Sequence, residues 1–391
     1  MMKKVVVGIV GAGFASRFHC RSFAKVAGFR VVVKAAADSD PEKAAALASD
    51  FGLQGYHADY RALLDDPEID VIDICTPPFL HSSMVTEALG AGKHVICEKP
   101  LTGYFGAPGD PEPIGDHVSR QVMYDAVIRD LEGLERAAEG SGRLFMYAEN
   151  YVYSPNILKA AEIVRARKSK VLFMKGEESL KGSTSPVAGQ WDKTGGGSLM
   201  RVGCHPVGGI LWLKREEARA RGVRFGLKSV VCDVARMTDD LSEHERRHIS
   251  VRPEDVEDFA SLTLTFSDGT KAVIIAGDTM LGGTRNYVEV YANDAVMYCQ
   301  ITPSDNLSTY MLDEEGMEDV YISEMLPAKT GWQKPFVAED HLRGYIGQFQ
   351  DFMECAATGR QPLSDFELAR DTAKVIYGAY LSAEQGRRFE F

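Results

Sequence analysis

The 391-residue sequence has no block of five or six like charges, no run near the roughly 20 apolar residues of a membrane-spanning helix, and no C-x-x-C pair. With 44 basic against 56 acidic side chains and a net charge of −12, it lacks the basic footprint that phosphate backbones or anionic lipid surfaces attract. Nucleic acid and membrane partners are therefore not expected. The apolar start, Val5 to Val10, runs into glycines rather than a small-residue cleavage site, so it reads as a strand and not a leader. The seven cysteines are odd in number and scattered, several in apolar surroundings, which fits a reducing cytoplasm better than a disulfide framework. Internal repeats and low-complexity tracts are absent as well.

What the sequence does have is an ordinary globular mix, 45% hydrophobic and 26% charged. Its length exceeds the roughly 100–200 residues of one domain, so two are expected. The first third alternates β-branched runs (5–10, 31–37, 71–75, 94–97 and 144–147) with helical patterns such as 41–51 and 81–89. That alternation predicts parallel βαβ units in a doubly wound sheet over residues 1–150. Residues 103–117 interrupt it with glycines and prolines, and two readings stand: a surface excursion, or a lid over the site that follows Lys99-Pro100. Beyond Asn150, alternating runs flank Ser267-Asp268-Gly269 and Asn293-Asp294 as antiparallel hairpins. Residues 151–391 are thus expected to form an α/β domain with a large, mostly antiparallel open sheet, helices 155–166 and 205–214 on one face, and C-terminal helices from 340 able to pack back toward the first domain.

The first strand ends in Gly11-Ala12-Gly13-Phe14-Ala15-Ser16, a G-x-G-x-x-S form of the dinucleotide fingerprint. Its glycines allow a tight turn and let backbone amides approach a pyrophosphate at a helix N-terminus. Asp38 ends the second strand 22 residues after Ser16, where an acid accepts ribose hydroxyls and repels a 2′-phosphate. NAD is accordingly expected ahead of NADP. Two more strand ends reach the same edge, Cys75-Thr76-Pro77-Pro78 with His81, and Cys97-Glu98-Lys99-Pro100. The expected cofactor-binding set is Gly11, Gly13, Phe14, Ala15, Ser16, Asp38, Thr76, Pro77, His81, Glu98 and Lys99.

Lys99 would stand inside the cofactor crevice, where desolvation lowers an amine's pKa toward proton-transfer chemistry. In the second domain, Gly195-Gly196-Gly197 lets backbone approach a ligand, and Arg201 and His205 lie one helical turn apart. Lys99 and His205 are the candidate catalytic pair. Arg201, Glu149, Asn150, Tyr151 and Tyr153 are candidate substrate contacts. His244-Glu245-Arg246-Arg247-His248 satisfies H-E-x-x-H, but its charged flanks provide no apolar helix to bury a metal, so no metal site is assigned.

These residues together resemble the Gfo/Idh/MocA oxidoreductase family, over essentially the whole chain: the 11–16 fingerprint, Ala37-Asp38-Ser39-Asp40-Pro41-Glu42, Thr76-Pro77-Pro78 with His81, Glu98-Lys99-Pro100, the 195–205 segment and the tail from Asp351-Phe352 to Gly386. The resemblance implies a Rossmann domain, a second α/β domain whose sheet mediates homodimers or homotetramers, Lys99 beside the nicotinamide, and His205 facing a substrate hydroxyl. In the sugar and inositol dehydrogenases an Asp commonly stands four residues before the His and another acid often three after it. Here those positions hold Arg201 and Gly208. Three functions follow as expectations: an NAD-dependent dehydrogenase acting on a secondary hydroxyl of a sugar, polyol or glycoside, anionic ones included; an oxidoreductive glycoside-cleaving enzyme; and a non-catalytic NAD-binding sensor.

Overall fold

The computed structural model describes residues 3–302, 307–322 and 328–391. Six strands, β1 (Lys4–Val10), β2 (Arg30–Ala37), β3 (Gly55–His57), β4 (Val71–Ile74), β5 (His94–Glu98) and β6 (Phe145–Ala148), form one sheet in the order β3-β2-β1-β4-β5-β6. Every pairing in it is parallel. The order reverses between β1 and β4, and doubly wound sheets bind ligands at that switch point. Helices α1 (Phe14–Phe23), α2 (Pro41–Phe51), α3 (His81–Gly90) and α4 (Arg120–Ser141) connect the strands. Local chemistry sets their ends. In α2, Asp40 accepts from the backbone of Glu42 and Lys43, Pro41 opens the helix, and Gly52 closes it with φ +63°.

The second sheet comprises β7 (Val171–Ser179), β8 (Leu227–Ala235), β9 (Phe259–Phe266), β10 (Lys271–Gly277), β11 (Arg285–Ala292), β12 (Val296–Gln300) and, after the small pair β13 (Thr309–Met311) and β14 (Gly331–Gln333), β15 (Phe389–Glu390). Its order is β12-β11-β7-β10-β9-β8-β15, antiparallel except for β7 with β10. Both expected hairpins form, β9 with β10 and β11 with β12. On one face lie α5 (Pro155–Arg167) and α6 (Cys204–Arg221). A Cβ on Gly176 of β7 would meet Pro206 at 2.8 Å, which measures how closely α6 lies on the sheet.

The C-terminal helices α7 (Tyr345–Thr358) and α8 (Phe366–Gln385) return to the first sheet. Phe349 of α7 packs edge-on against Phe23 and His19 of α1, at 4.5 and 4.6 Å, and α8 lies along α4. The 103–117 segment runs over the surface, exposed at 106–109 and 111–113, but is anchored near both ends. The Tyr104 amide donates to the Tyr377 hydroxyl (2.6 Å) and the Gly115 amide to Asp255 (2.9 Å), so the segment is docked onto the second domain. All seven cysteines are free, and among the described residues no helix is long and apolar enough to cross a membrane.

Candidate active site

At the switch point a cleft of about 850 Å³ is lined by Gly11, Gly13, Asp38, Thr76, Pro77 and Phe79 among others. Gly11 has φ +93°, and a Cβ there would lie 2.6 Å from the Cys75 carbonyl, so only glycine lets the turn pass that close. A Cβ on Gly13 would meet nothing within 4 Å, which leaves open space at the N-terminus of α1. No side chain caps that terminus, so its amides remain available to a pyrophosphate. The two Asp38 oxygens accept from the Ala12 and Asp40 amides (2.8 and 2.9 Å), which fixes the acid at the cleft while each oxygen keeps acceptor capacity. This cradle fits a dinucleotide.

Other members of the expected cofactor set do different work. Ser16 turns its hydroxyl back onto the Gly13 carbonyl (2.8 Å), whereas Phe14 is 75% exposed beside the cleft and packs on Phe18, with Ala15 following it in the first turn of α1. His81 is fully buried, with ring nitrogens 2.7 Å from the Pro100 carbonyl and 2.9 Å from that of Thr76. It clamps the two strand-end turns to each other.

Lys99 and Glu98 sit on a network that sequence reasoning missed. His19, buried in α1, places Nδ1 against Asp73 (2.9 Å) and Nε2 against Glu98 (3.0 Å). Burial opposes a charge on this ring, yet Asp73 and its neighbours outweigh burial and hold its pKa well above 6.5. Glu98 in turn accepts from the Lys99 amide (3.0 Å). The Lys99 ammonium donates to the Arg201 carbonyl at 2.6 Å, which joins the end of β5 to the turn that precedes His205. Its pKa moves opposite to expectation. Burial works against its charge, but the groups facing it, Cys204 first and then Glu98, Glu178 and Glu149, more than offset that and raise it.

His205 lies in the first turn of α6, with Nδ1 2.8 Å from Glu149 Oε1 and its ring stacked on Tyr151 at 5.1 Å. Burial, with Lys99 and Arg343 nearby, pushes the imidazole well below 6.5, and burial raises Glu149 well above its usual range. Tyr151 donates its hydroxyl to Glu178 (2.6 Å). Asn150 and Tyr153 are not brought to His205: Asn150 donates to the Arg343 carbonyl (2.7 Å) and Tyr153 to Asp351 (2.8 Å). Arg201 forms an ion pair with the buried Asp278 and lines, with Lys99, a second cavity of about 500 Å³. That cavity shares Pro77 and Phe79 with the cofactor cleft and has a largely apolar wall from Phe79, Leu180, Val187 and Val202.

The glycine run serves packing rather than ligand approach. A Cβ on Gly197 would lie 1.8 Å from the Glu257 carbonyl, and one on Gly196 2.2 Å from the Tyr380 hydroxyl. Glu257 then accepts from the Gly197 and Leu199 amides (both 2.9 Å) and so shapes the turn that holds Arg201. His244 and His248 of the H-E-x-x-H match stand exposed on a short 3-10 turn. One missed group had a visible signal, since Asp73 is a carboxylate inside the otherwise apolar run Val71-Ile72-Asp73-Ile74, buried throughout.

A family model described as an oxidoreductase family with an NAD-binding Rossmann fold matches residues 5–107, and one for the GFO/IDH/MocA C-terminal domain matches residues 173–297. Levoglucosan dehydrogenase of Pseudarthrobacter phenanthrenivorans is 25% identical over 380 residues, covering 92% of this chain and 90% of that one. D-apiose dehydrogenase of Paraburkholderia graminis is 22% identical over 396 residues, covering 100% and 90%. The crystal structure of GenD2 from gentamicin A biosynthesis, in complex with NAD, superposes with a TM-score of 0.79 at 21% identity over 100% of this chain and 97% of that one, a likeness of fold. The chain belongs to the Gfo/Idh/MocA oxidoreductase family, with that family's NAD-binding Rossmann domain followed by its C-terminal domain.

Proposed function

We propose that the chain is an NAD-dependent dehydrogenase that oxidises a secondary hydroxyl of a sugar, polyol or glycoside, divided near residue 150 into a cofactor half and a substrate half. The observation that carries this is the 2.6 Å bond from Lys99 to the Arg201 carbonyl, by which the cofactor-side lysine meets the turn leading into His205. Bound NAD supplies the two-electron acceptor for the carbinol hydrogen. The protein holds the reacting oxygen and takes its proton. At neutral pH Lys99 is an ammonium and His205 a neutral imidazole, so the two divide the labour: Lys99 donates to the substrate oxygen, and His205 Nε2 accepts the hydroxyl proton. Asp38, with both oxygens ordered toward the cleft, favours NAD over NADP.

Arg201 is already paired with Asp278, so it positions the Lys99 contact more than it offers a free anion site. The second cavity sets an apolar wall beside the polar Ser183, Ser185, Lys193 and Thr194, which favours a glycoside carrying both an apolar part and hydroxyls over a bare polyol. The same wall supports a second reading, oxidoreductive cleavage of a glycoside with no net change in the cofactor. The Glu149–His205 contact speaks against a non-catalytic sensor. A screen of sugars, polyols, glycosides and acidic sugars tests all three: stoichiometric NADH supports the dehydrogenase, aglycone release without NADH the cleaving enzyme, and NAD binding with neither product the sensor.

A further inference from the structure

We propose that Glu149 is the carboxylate that orients His205, reaching it from the end of β6 in place of an acid on the helical segment that carries His205. The inference rests on the reading of His205 as proton acceptor. Glu149 precedes a 3-10 turn, Asn150–Tyr153, and its Oε1 accepts the Tyr151 amide at 3.1 Å. The same oxygen meets His205 Nδ1 at 2.8 Å. An oxygen already engaged as an acceptor leaves one consistent arrangement, in which the imidazole presents Nδ1–H to Glu149 and keeps its lone pair on Nε2. His205 Nε2 makes no hydrogen bond among the described residues. The stacked Tyr151 ring, 16° from parallel and tied through its hydroxyl to Glu178, fixes the imidazole plane.

Space for this carboxylate comes from Gly208. A Cβ at 208 would lie 2.9 Å from Glu149 Cγ and 3.3 Å from its Oε2, so a side chain at that position and Glu149 compete for one volume. Position 201 carries a cation committed to Asp278, and position 208 carries no side chain. His205 therefore has no acid at either place on its own segment. The proton acceptor is assembled across two domains: its ring comes from α6 and its orienting acid from the end of β6. The charged and titratable groups around the ring include Glu149, the stacked Tyr151, Lys99 just after β5, Glu178 from β7, Arg343 ahead of α7, and Cys204 on its own helix.

The test compares the full-length wild type with Glu149→Gln, Glu149→Ala and Glu149→Ala/Gly208→Asp. Three quantities are read: the His205 tautomer by 15N NMR, assigned through loss of its signals in His205→Asn; NAD affinity; and the pH dependence of kcat/KM on the substrate found in the screen. The wild type is expected to show the Nδ1–H tautomer. Glu149→Ala should lose about 10²-fold in kcat/KM with NAD affinity unchanged. Glu149→Gln, whose carbonyl still accepts Nδ1–H, should keep the tautomer and most of the rate. The Asp at 208 would enter the vacated volume and restore at least part of the rate, an outcome a merely structural Glu149 would not give. An Nε2–H tautomer in the wild type, or Glu149→Ala with wild-type kcat/KM and pH profile, would overturn the proposal. Should Glu149→Ala fail to fold, the wild-type tautomer and Glu149→Gln decide it. Should no sugar be oxidised, the dehydrogenase reading fails, while the tautomer, which needs no substrate, still tests Glu149.

Discussion

His19 shows how much of the site depends on one buried side chain. It is enclosed by Asp73 and Glu98, and both ring nitrogens are engaged. Its removal would leave Asp73, fully buried, without an ion-pair partner among the described residues. His19→Ala is therefore expected to cost roughly 3–5 kcal/mol, read as a lower urea midpoint, and to loosen Glu98 and thus Lys99; an unchanged midpoint would refute the network. His205 carries the opposite shift. A base active only when neutral loses activity on protonation, so the acid limb of kcat/KM should fall below pH 6.5, and a limb at or above neutrality would contradict the assignment. The same depression has a stability consequence: the unfolded chain takes up a proton near 6.5 that the folded site refuses, so this residue costs stability as pH falls through that value. Lys99, His205 and Asp38 could be singled out as candidates because short motifs mark them. The partners of His19 were not, because Asp73 and Glu98 lie 54 and 79 residues away and meet it only through packing of α1 on the sheet.

Among the elements, the parallel strands and the hairpins were readable from β-branched runs and turn residues, whereas β7 was not. Its sequence ends in Gly176-Glu177-Glu178-Ser179, polar and yet buried, because Tyr151 and Arg285 partner the two carboxylates. The glycine run at 195–197 was visible, but its purpose was not, since Glu257 and Tyr380 approach it from elsewhere in the chain. The docked 103–117 segment makes a testable case. The Tyr377 hydroxyl accepts the Tyr104 amide and donates to the Gly195 carbonyl (2.7 Å), tying that segment to the glycine turn. Tyr377→Phe leaves both buried backbone groups without this partner, so a loss of about 1–3 kcal/mol is expected in chemical denaturation. A loss near zero would mean that the segment is not held there.

At the scale of the whole molecule, α7 packs on α1 and β1 of the first sheet, and α8 touches both β6 of the first sheet and β8 of the second. The face of the second sheet opposite α6 carries Phe173, Lys175, Tyr291 and Tyr298, with the rings in mutual contact at 5.7 and 6.2 Å and Tyr298 64% exposed. An exposed aromatic sheet face of this kind fits self-association. Light scattering is expected to give a homodimer or homotetramer, and Tyr298→Lys to shift it toward monomer; a wild-type monomer at micromolar concentration would contradict this. The acidic net charge says nothing of the second cavity, whose lining carries Lys99, Lys193 and an Arg201 paired with Asp278. We propose that the first sheet's cofactor cleft and His205 of the second domain form one dehydrogenase site. The most direct measurement is NADH formed per molecule of glycoside or sugar oxidised by the wild type, with Lys99→Ala and His205→Asn assayed alongside. One NADH per carbinol oxidised is expected, with a loss of about 10²-fold or more in each variant. Near-normal turnover by Lys99→Ala, or NAD bound but never reduced by any member of the substrate panel, would contradict it.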